Sequence, residues 1–264
     1  GNEFMRRDRY EGEIKFDNVS YSYPNQDSDA VENISFKIGK GERIGLVGRV
    51  GSGKTTIGKL ITKLFLPQKG SISIDGIDIR QLDPSEIREN IGYVAQEPWL
   101  IAGTIEQNIS LGATDIKSEE IIEAANISTA TEFINKHTKG FKQVLDERGE
   151  GLSGGQKQAL TVARALVQKP PIFIFDEPTS SMDAKTEKKF IENFKRYNPE
   201  ATLLLITHRT SLLSLVDKVI VIDQGKIVGT GSVDGFLKAT KTGKDSSTVG
   251  SSPPGPTMTD TVAP

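Results

Sequence analysis

The sequence predicts an α/β fold: a largely parallel sheet interrupted in its middle by a helical insertion. Three observations lead there. "IFIF" and "LLLI" are unbroken apolar runs, the pattern of strands covered on both faces. Short β-rich runs, separated by turn residues, fill the first part of the chain. From 104 to 168 the apolar spacing is mostly helical, and strands then return.

Taken in order, "EIKFDNVSY", "ISFKI", "RIGLVG" and "SISIDG" read as strands. Thr55 to Phe65 reads as a helix whose apolar face is Ile57, Leu60, Ile61 and Leu64. "SEEIIEAANI" reads as another, with Ser118 as its cap and acids in the first turn. "IFIFD", "TLLLIT" and "KVIVI" follow as strands, the last joined to "KIVGT" by the turn "DQG". Residues 1–11, with an internal Met5, are expected to be a linker or a cloning scar. From 241 to 264 Ser, Thr, Gly and Pro dominate, so this tail is expected to stay disordered: it buries too little to offset its ordering entropy. The folded body is therefore expected over 12–240.

Composition narrows the function. The chain has 264 residues, 36% hydrophobic and 26% charged, which suits one large domain or a domain with a subdomain. A formal net charge of −2 argues against a nucleic-acid partner, which calls for a basic excess. With no cysteine there is neither a disulfide nor a thiolate metal site, in keeping with a reducing compartment. The longest apolar runs fall far short of the roughly 18–20 residues that cross a bilayer. The chain is thus expected to be soluble by itself, with any membrane role coming from a partner.

"GRVGSGKTT" places Gly48, Arg49, Val50, Gly51, Ser52, Gly53, Lys54, Thr55 and Thr56 in the phosphate-loop spacing G-x-x-x-x-G-K-[ST], between an apolar strand and a helix. Glycines let successive N–H groups turn towards phosphate oxygens at a helix N-terminus. Lys54 then brings a point charge to the β and γ phosphates, and the Thr55 hydroxyl is a ligand for Mg²⁺. "IFIFDEPTSSMD" supplies the other half, with Asp176 and Glu177 leaving the C-terminal end of a buried strand, where open parallel sheets bind ligands. Asp176 is expected to hold Mg²⁺ and Glu177 to act as general base on the attacking water. No N-K-x-D stretch reads a guanine base, so ATP is the expected nucleotide.

A second glycine-rich stretch, "GLSGGQKQA", lacks the lysine and hydroxyl of a phosphate loop. "LSGGQ" before a helix and upstream of "FDEPTSSMD" resembles the signature of an ATP-binding cassette (ABC) ATPase, and the resemblance covers roughly 12–240. It implies a RecA-like P-loop NTPase core with an N-terminal antiparallel β-subdomain and an inserted α-helical subdomain at about 98–168. It further implies that Tyr23 stacks on adenine, that Gln96 senses Mg²⁺ and water, and that His208 meets the γ-phosphate. Ser153, Gly154, Gly155 and Gln156 would close over the nucleotide of a second copy, Asp183 would lie in the cross-dimer loop, and ATP would drive a homodimer. In that loop this chain has Ser181 and Met182 where the family commonly has alanine and leucine. His137 matches no motif and is expected at the surface.

"GTIEQNI", "QEPWLIA" and "ERGEGLSGGQ" are similar to exporter domains, and "GRVGSGKTT" with "LLLITHRTSLL" to type I secretion ATPases. That likeness implies a place on the cytoplasmic face of the inner membrane, fused to membrane helices upstream. Its partners would be membrane-domain coupling helices near Glu147 and Arg148, an adaptor and an outer-membrane channel. Trp99, Leu100 and Ile101 either line the coupling-helix groove or belong to the core. The alternatives are a soluble ABC ATPase of translation or DNA repair, or an exporter of lipids or drugs.

Overall fold

The structure is a computed structural model and describes residues 9–241. Most of the two expected terminal segments lies outside the described residues. Within them, Tyr10 is buried and its N–H donates to Asn90 Oδ1, so packing begins before residue 12.

β1 (Ile14–Tyr21) and β2 (Val31–Ile38) pair antiparallel, and β3 (Arg43–Val47) leads into α1 (Lys54–Ile61). β4 (Lys69–Ile74) and β5 (Ile77–Asp78) complete an antiparallel sheet of order β2-β1-β4-β5. α2 (Pro84–Asn90), capped by Asp83, feeds β6 (Ile91–Val94). A mostly helical stretch follows: β7 (Gly103–Thr104), α3 (Ile105–Ile109), α4 (Ser118–Ile127), α5 (Thr131–Ile134), β8 (Val144–Leu145) and α6 (Gly154–Leu166). The chain returns as β9 (Ile172–Asp176), α7 (Ala184–Arg196), β10 (Thr202–Ile206), β11 (Lys218–Asp223), β12 (Lys226–Ser232) and α8 (Val233–Lys241). The main sheet has order β12-β11-β3-β10-β9-β6 and is parallel except for β12.

Because the inner strands are covered on both faces, alternate residues serve two cores. Ile172 and Ile174 of β9, with Leu204 and Ile206 of β10, join α1 and the antiparallel sheet. Phe173 and Phe175, with Leu203 and Leu205, join α6, α7 and the helical stretch. Phe194 of α7 is the hub of the second core: its ring lies 5.5 Å from Phe173, 5.1 Å from Phe175 and 5.7 Å from Phe190.

Two expectations are corrected. α1 ends at Ile61, four residues short of Phe65, and Leu64 is 59% exposed instead of facing the core. Thr62 bonds its hydroxyl back to the Gly58 and Lys59 carbonyls, and Lys63 turns left-handed at φ 58°, which stops the helix. Ser118 is the first residue of α4 and not its cap; the Lys117 N–H donates to Glu120 Oε2 at 2.9 Å instead.

Since Phe194 is fully buried among four aromatic rings, Phe194→Ala should lower the unfolding free energy by about 3–5 kcal/mol. The check is a urea titration, in which the midpoint falls.

Candidate active site

The strand order β3-β10-β9-β6 brings four strand ends to one edge of the sheet. The phosphate loop follows β3, Thr207 and His208 follow β10, Asp176 and Glu177 close β9, and Gln96 lies just beyond β6. A cleft of about 880 Å³ opens there. Tyr23, Val50, Gly51, Gly53, Lys54, Thr55 and Thr56 line it together with Gln96, Asp176, Glu177 and His208.

Glycine is required at two points of the loop. A Cβ on Gly48 would stand 2.1 Å from the Ile222 carbonyl oxygen. Gly53, in the cap position before α1 at φ +100°, would bring one within 2.4 Å of the Ala30 oxygen. Lys54, almost fully buried, donates to the Gly48 and Arg49 carbonyls at 2.7 Å each and lies 3.3 Å from Ser52 Oγ. Burial pulls its pKa down, against the pull of Glu177 and Asp176. The Thr55 hydroxyl donates to Asp176 Oδ2 at 2.7 Å, while burial holds the Asp176 pKa above the usual carboxylate range despite that bond. Tyr23 bonds through its hydroxyl to Thr56 Oγ1 at 3.0 Å, with its ring edge-on to Phe65.

Glu177 is the most constrained residue of the cleft. Its backbone is left-handed at φ 48°, and its N–H donates to the Ile206 oxygen at 2.8 Å. Oε1 accepts from the His208 N–H at 2.7 Å and lies 2.5 Å from His208 Nδ1, while Oε2 accepts from Thr207 Oγ1 at 2.9 Å. The carboxylate is buried whereas the imidazole is largely exposed.

Behind this pair stands a network that sequence reasoning missed. Arg209 donates its N–H to Thr207 Oγ1 and a guanidinium N–H to the Thr179 carbonyl, and pairs with buried Glu187 at 2.8 Å. Glu187 also accepts from Thr179 Oγ1 and Ser211 Oγ, both at 2.6 Å. An ion pair whose acid is buried is tolerated when its remaining hydrogen-bonding capacity is filled. The signal was available: Glu187, Phe190, Ile191 and Phe194 fall on one helical stripe, and a carboxylate on an apolar stripe needs a partner.

The second glycine-rich stretch lies outside this cleft. Ser153 caps α6, its Oγ accepting from the Gln156 N–H at 3.2 Å and Gln156 Oε1 accepting from the Ser153 N–H at 2.9 Å. Gly155 runs against the backbone of Ser181, where a Cβ would come within 2.8 Å of the carbonyl oxygen. Gly154 faces the Ser181 side chain less closely, at 3.2 Å from a Cβ. Ser153, Gly155 and Gln156 share a separate hollow of about 260 Å³ with Ser181, Met182 and Asp183. Asp183 caps α7, and the bond it accepts from the Thr186 N–H lowers its pKa. Met182 is buried, and Gln158 holds the Ser181 N–H at 2.8 Å.

The three apolar residues after Gln96 part company. Leu100 is buried in the helical core and Ile101 is half-buried, which leaves Trp99 exposed. Glu147 and Arg148 lie in an exposed loop, and His137 is half-buried against Phe133.

A parallel sheet that gathers a glycine-rich anion loop, a buried lysine and two acids at its C-terminal edge defines the class of P-loop nucleotide-binding proteins. The family described as ABC transporter matches residues 31–180, and the chain belongs to it. It is 39% identical over 231 residues to the leukotoxin export ATP-binding protein LtxB of Aggregatibacter actinomycetemcomitans, covering 88% of this chain and 33% of LtxB. It is 40% identical over 236 residues to the alpha-hemolysin translocation ATP-binding protein HlyB of Escherichia coli O157:H7, covering 89% and 33%. The mitochondrial potassium channel ATP-binding subunit of Mus musculus matches at 40% over 229 residues, covering 86% and 32%. Among solved structures, a bacterial Atm1-family ABC exporter with ATP bound superposes with a TM-score of 0.83 at 33% identity, covering 90% of this chain and 41% of that one. The chain spans about a third of the length of the curated relatives it matches. Among the described residues no helix is long and apolar enough to cross a membrane.

Gly53→Ala should cut nucleotide affinity at least tenfold, because the new Cβ meets the Ala30 carbonyl and the backbone has to leave its left-handed conformation. Titration calorimetry with ATP measures it.

Proposed function

We propose that this chain is the ATP-hydrolysing domain of an ABC exporter, and that two copies close head to tail around two ATP molecules. The observation that carries the reading is the separation of the two glycine-rich stretches. The phosphate loop lines one cleft while Ser153, Gly155 and Gln156 line another hollow, so a single chain does not bring them together over one nucleotide. A second copy turned end for end does. Ser153 and the N–H groups of Gly154 and Gly155, at the start of a thirteen-residue helix, suit a γ-phosphate that already has Lys54 as its cationic partner.

Within each site the roles follow from chemistry. Lys54 exchanges its loop carbonyls for phosphate oxygens, and Tyr23 offers its ring to the adenine. Glu177, oriented by the His208 and Thr207 donors, takes the proton of the attacking water as ATP and water become ADP and phosphate. His208 and Gln96 line the same cleft; His208 would meet the γ-phosphate, and Gln96 the Mg²⁺ and its water. The Thr55 hydroxyl and Asp176 carboxylate, 2.7 Å apart, are the hard oxygen donors that suit Mg²⁺, which supplies charge neutralisation at the β and γ phosphates. Closure follows ATP because only the closed dimer contacts the γ-phosphate from both sides, and hydrolysis removes those contacts.

In the whole transporter, residues 12–240 form the ATPase domain, with about 98–168 as its helical part, on the cytoplasmic face of the inner membrane. The export and translocation names of LtxB and HlyB favour protein secretion of the type I kind, with an adaptor and an outer-membrane channel as further partners.

Glu177→Gln should leave ATP binding intact, slow hydrolysis about 10²–10⁴-fold, and make an ATP-dependent dimer visible by size-exclusion chromatography; retained turnover would remove Glu177 as the base. Lys54→Ala and Ser153→Arg subunits, each inactive alone, should regain hydrolysis when mixed, through one complete composite site per heterodimer. Heterodimers that form without any gain over either parent would overturn the head-to-tail reading.

A further inference from the structure

α6, capped by Ser153, carries a polar clamp near each end. At the first end Gln158 donates to Ser180 Oγ at 2.8 Å and accepts from the Ser181 N–H at 2.8 Å, tying the helix to the loop after Glu177. At the other end Arg164 reaches the stretch that follows Gln96. Its Nε donates to the Asn108 carbonyl at 2.7 Å, one terminal nitrogen to Asn108 Oδ1 at 3.2 Å, and the other to the Trp99 carbonyl at 3.1 Å. The guanidinium carbon lies 4.3 Å from the centre of the Trp99 ring.

Asn108 completes the second clamp. It is fully buried, donates to the Ile101 and Thr104 carbonyls at 3.0 and 3.1 Å, and accepts from the Ile101 N–H at 2.9 Å. The segment from Trp99 to Thr104 is therefore folded onto α3 and α6 by one arginine and one asparagine. Burial lowers the Arg164 pKa to about 10, which leaves it charged at neutral pH. Its planar fork fills three acceptor directions while its face stacks on an indole, a geometry that lysine does not reproduce.

We propose that Arg164 is a positioning residue: it locks the segment following Gln96 to the helix that presents Ser153, so that the two move as one body when the dimer closes. The inference rests on the head-to-tail reading given above. α6 is about 20 Å long, so a tether near its C-terminal end sets the tilt of the helix and hence the place of its N-terminus. Packing supports this function for Trp99: the residue is 55% exposed, more than a core role would allow, yet its ring is held against the Arg164 guanidinium. Releasing it frees the helix to sample tilts in which Ser153 does not meet the partner's nucleotide. The apparent affinity of closure then falls by the fraction of molecules still competent.

Trp99 is the chain's single tryptophan, so its emission reports this contact directly. The test uses the full chain carrying Glu177→Gln, alone and with Arg164→Lys or Trp99→Ala. Three quantities are measured: ATP affinity at concentrations where the chain is monomeric, the ATP-dependent dimer dissociation constant by analytical ultracentrifugation, and acrylamide quenching of tryptophan emission. Arg164→Lys should raise the quenching constant about twofold and the dimer dissociation constant about tenfold, with ATP affinity of the monomer unchanged. Trp99→Ala, at an exposed position, should weaken the dimer several-fold without shifting thermal unfolding, and it carries the test if Arg164→Lys does not fold. Quenching that stays at the parental value in Arg164→Lys overturns the clamp. Parental dimerisation in both variants overturns the positioning role while leaving the head-to-tail reading intact. A parent that never dimerises with ATP overturns that reading and this inference together.

Discussion

Three ionisable side chains, Lys54, Asp176 and Glu177, are buried side by side at one edge of a parallel sheet. Each would be costly there alone, since removing an ion from water is repaid only by opposite charge and hydrogen bonds. Much of the surrounding structure meets that demand. β9 and β10 run in parallel register, with Asp176 opposite Ile206, so the two acids leave the sheet beside Thr207 and His208. β3 lies on the other side of β10 and delivers the loop carbonyls that hold the lysine. The strand order therefore does electrostatic work as well as hydrophobic work.

That demand extends outward from the first layer. Glu177 is held by Thr207 and His208, the segment carrying them is held by Arg209, and Arg209 is held by Glu187 on α7. α7 in turn is anchored by Phe190 and Phe194 in the aromatic core under β9. The position of the carboxylate is thus transmitted from hydrophobic packing through a chain of satisfied polar groups. On the far side, α6 links the loop after Glu177 to the segment after Gln96 through Gln158 and Arg164. A helix clamped at both ends connects the cleft edge with the exposed Trp99.

Local patterns were legible where the chemistry is local. "GRVGSGKTT" and "IFIFDEP" state their geometry, because glycines at close approaches and apolar runs ending in acids have few structural solutions. The expected helix limits miss in opposite directions, Phe65 lying four residues too late for an end and Ser118 as cap placing a start one residue too late, because one hydroxyl bonding backwards or one carboxylate reaching a neighbouring N–H moves a boundary without altering the apolar period. Trp99, Leu100 and Ile101 look alike as neighbours, yet Asn108, a few residues on, and Arg164, distant in sequence, decide which of them faces solvent.

By itself the sequence determined the class of fold, the phosphate loop, the acids that follow β9 and the presence of a second glycine-rich stretch, since each is written in consecutive residues with a period or spacing of its own. Only the tertiary structure decided that this second stretch opens on a hollow apart from the cleft, that Glu187 and Arg209 stand behind Glu177, and that Arg164 stacks on Trp99. Those arrangements join residues 22 to 65 positions apart, and no local period encodes them. They exist because a buried charge accepts only a partner of the right sign at hydrogen-bonding distance, and the packing of two cores selects which partner that is.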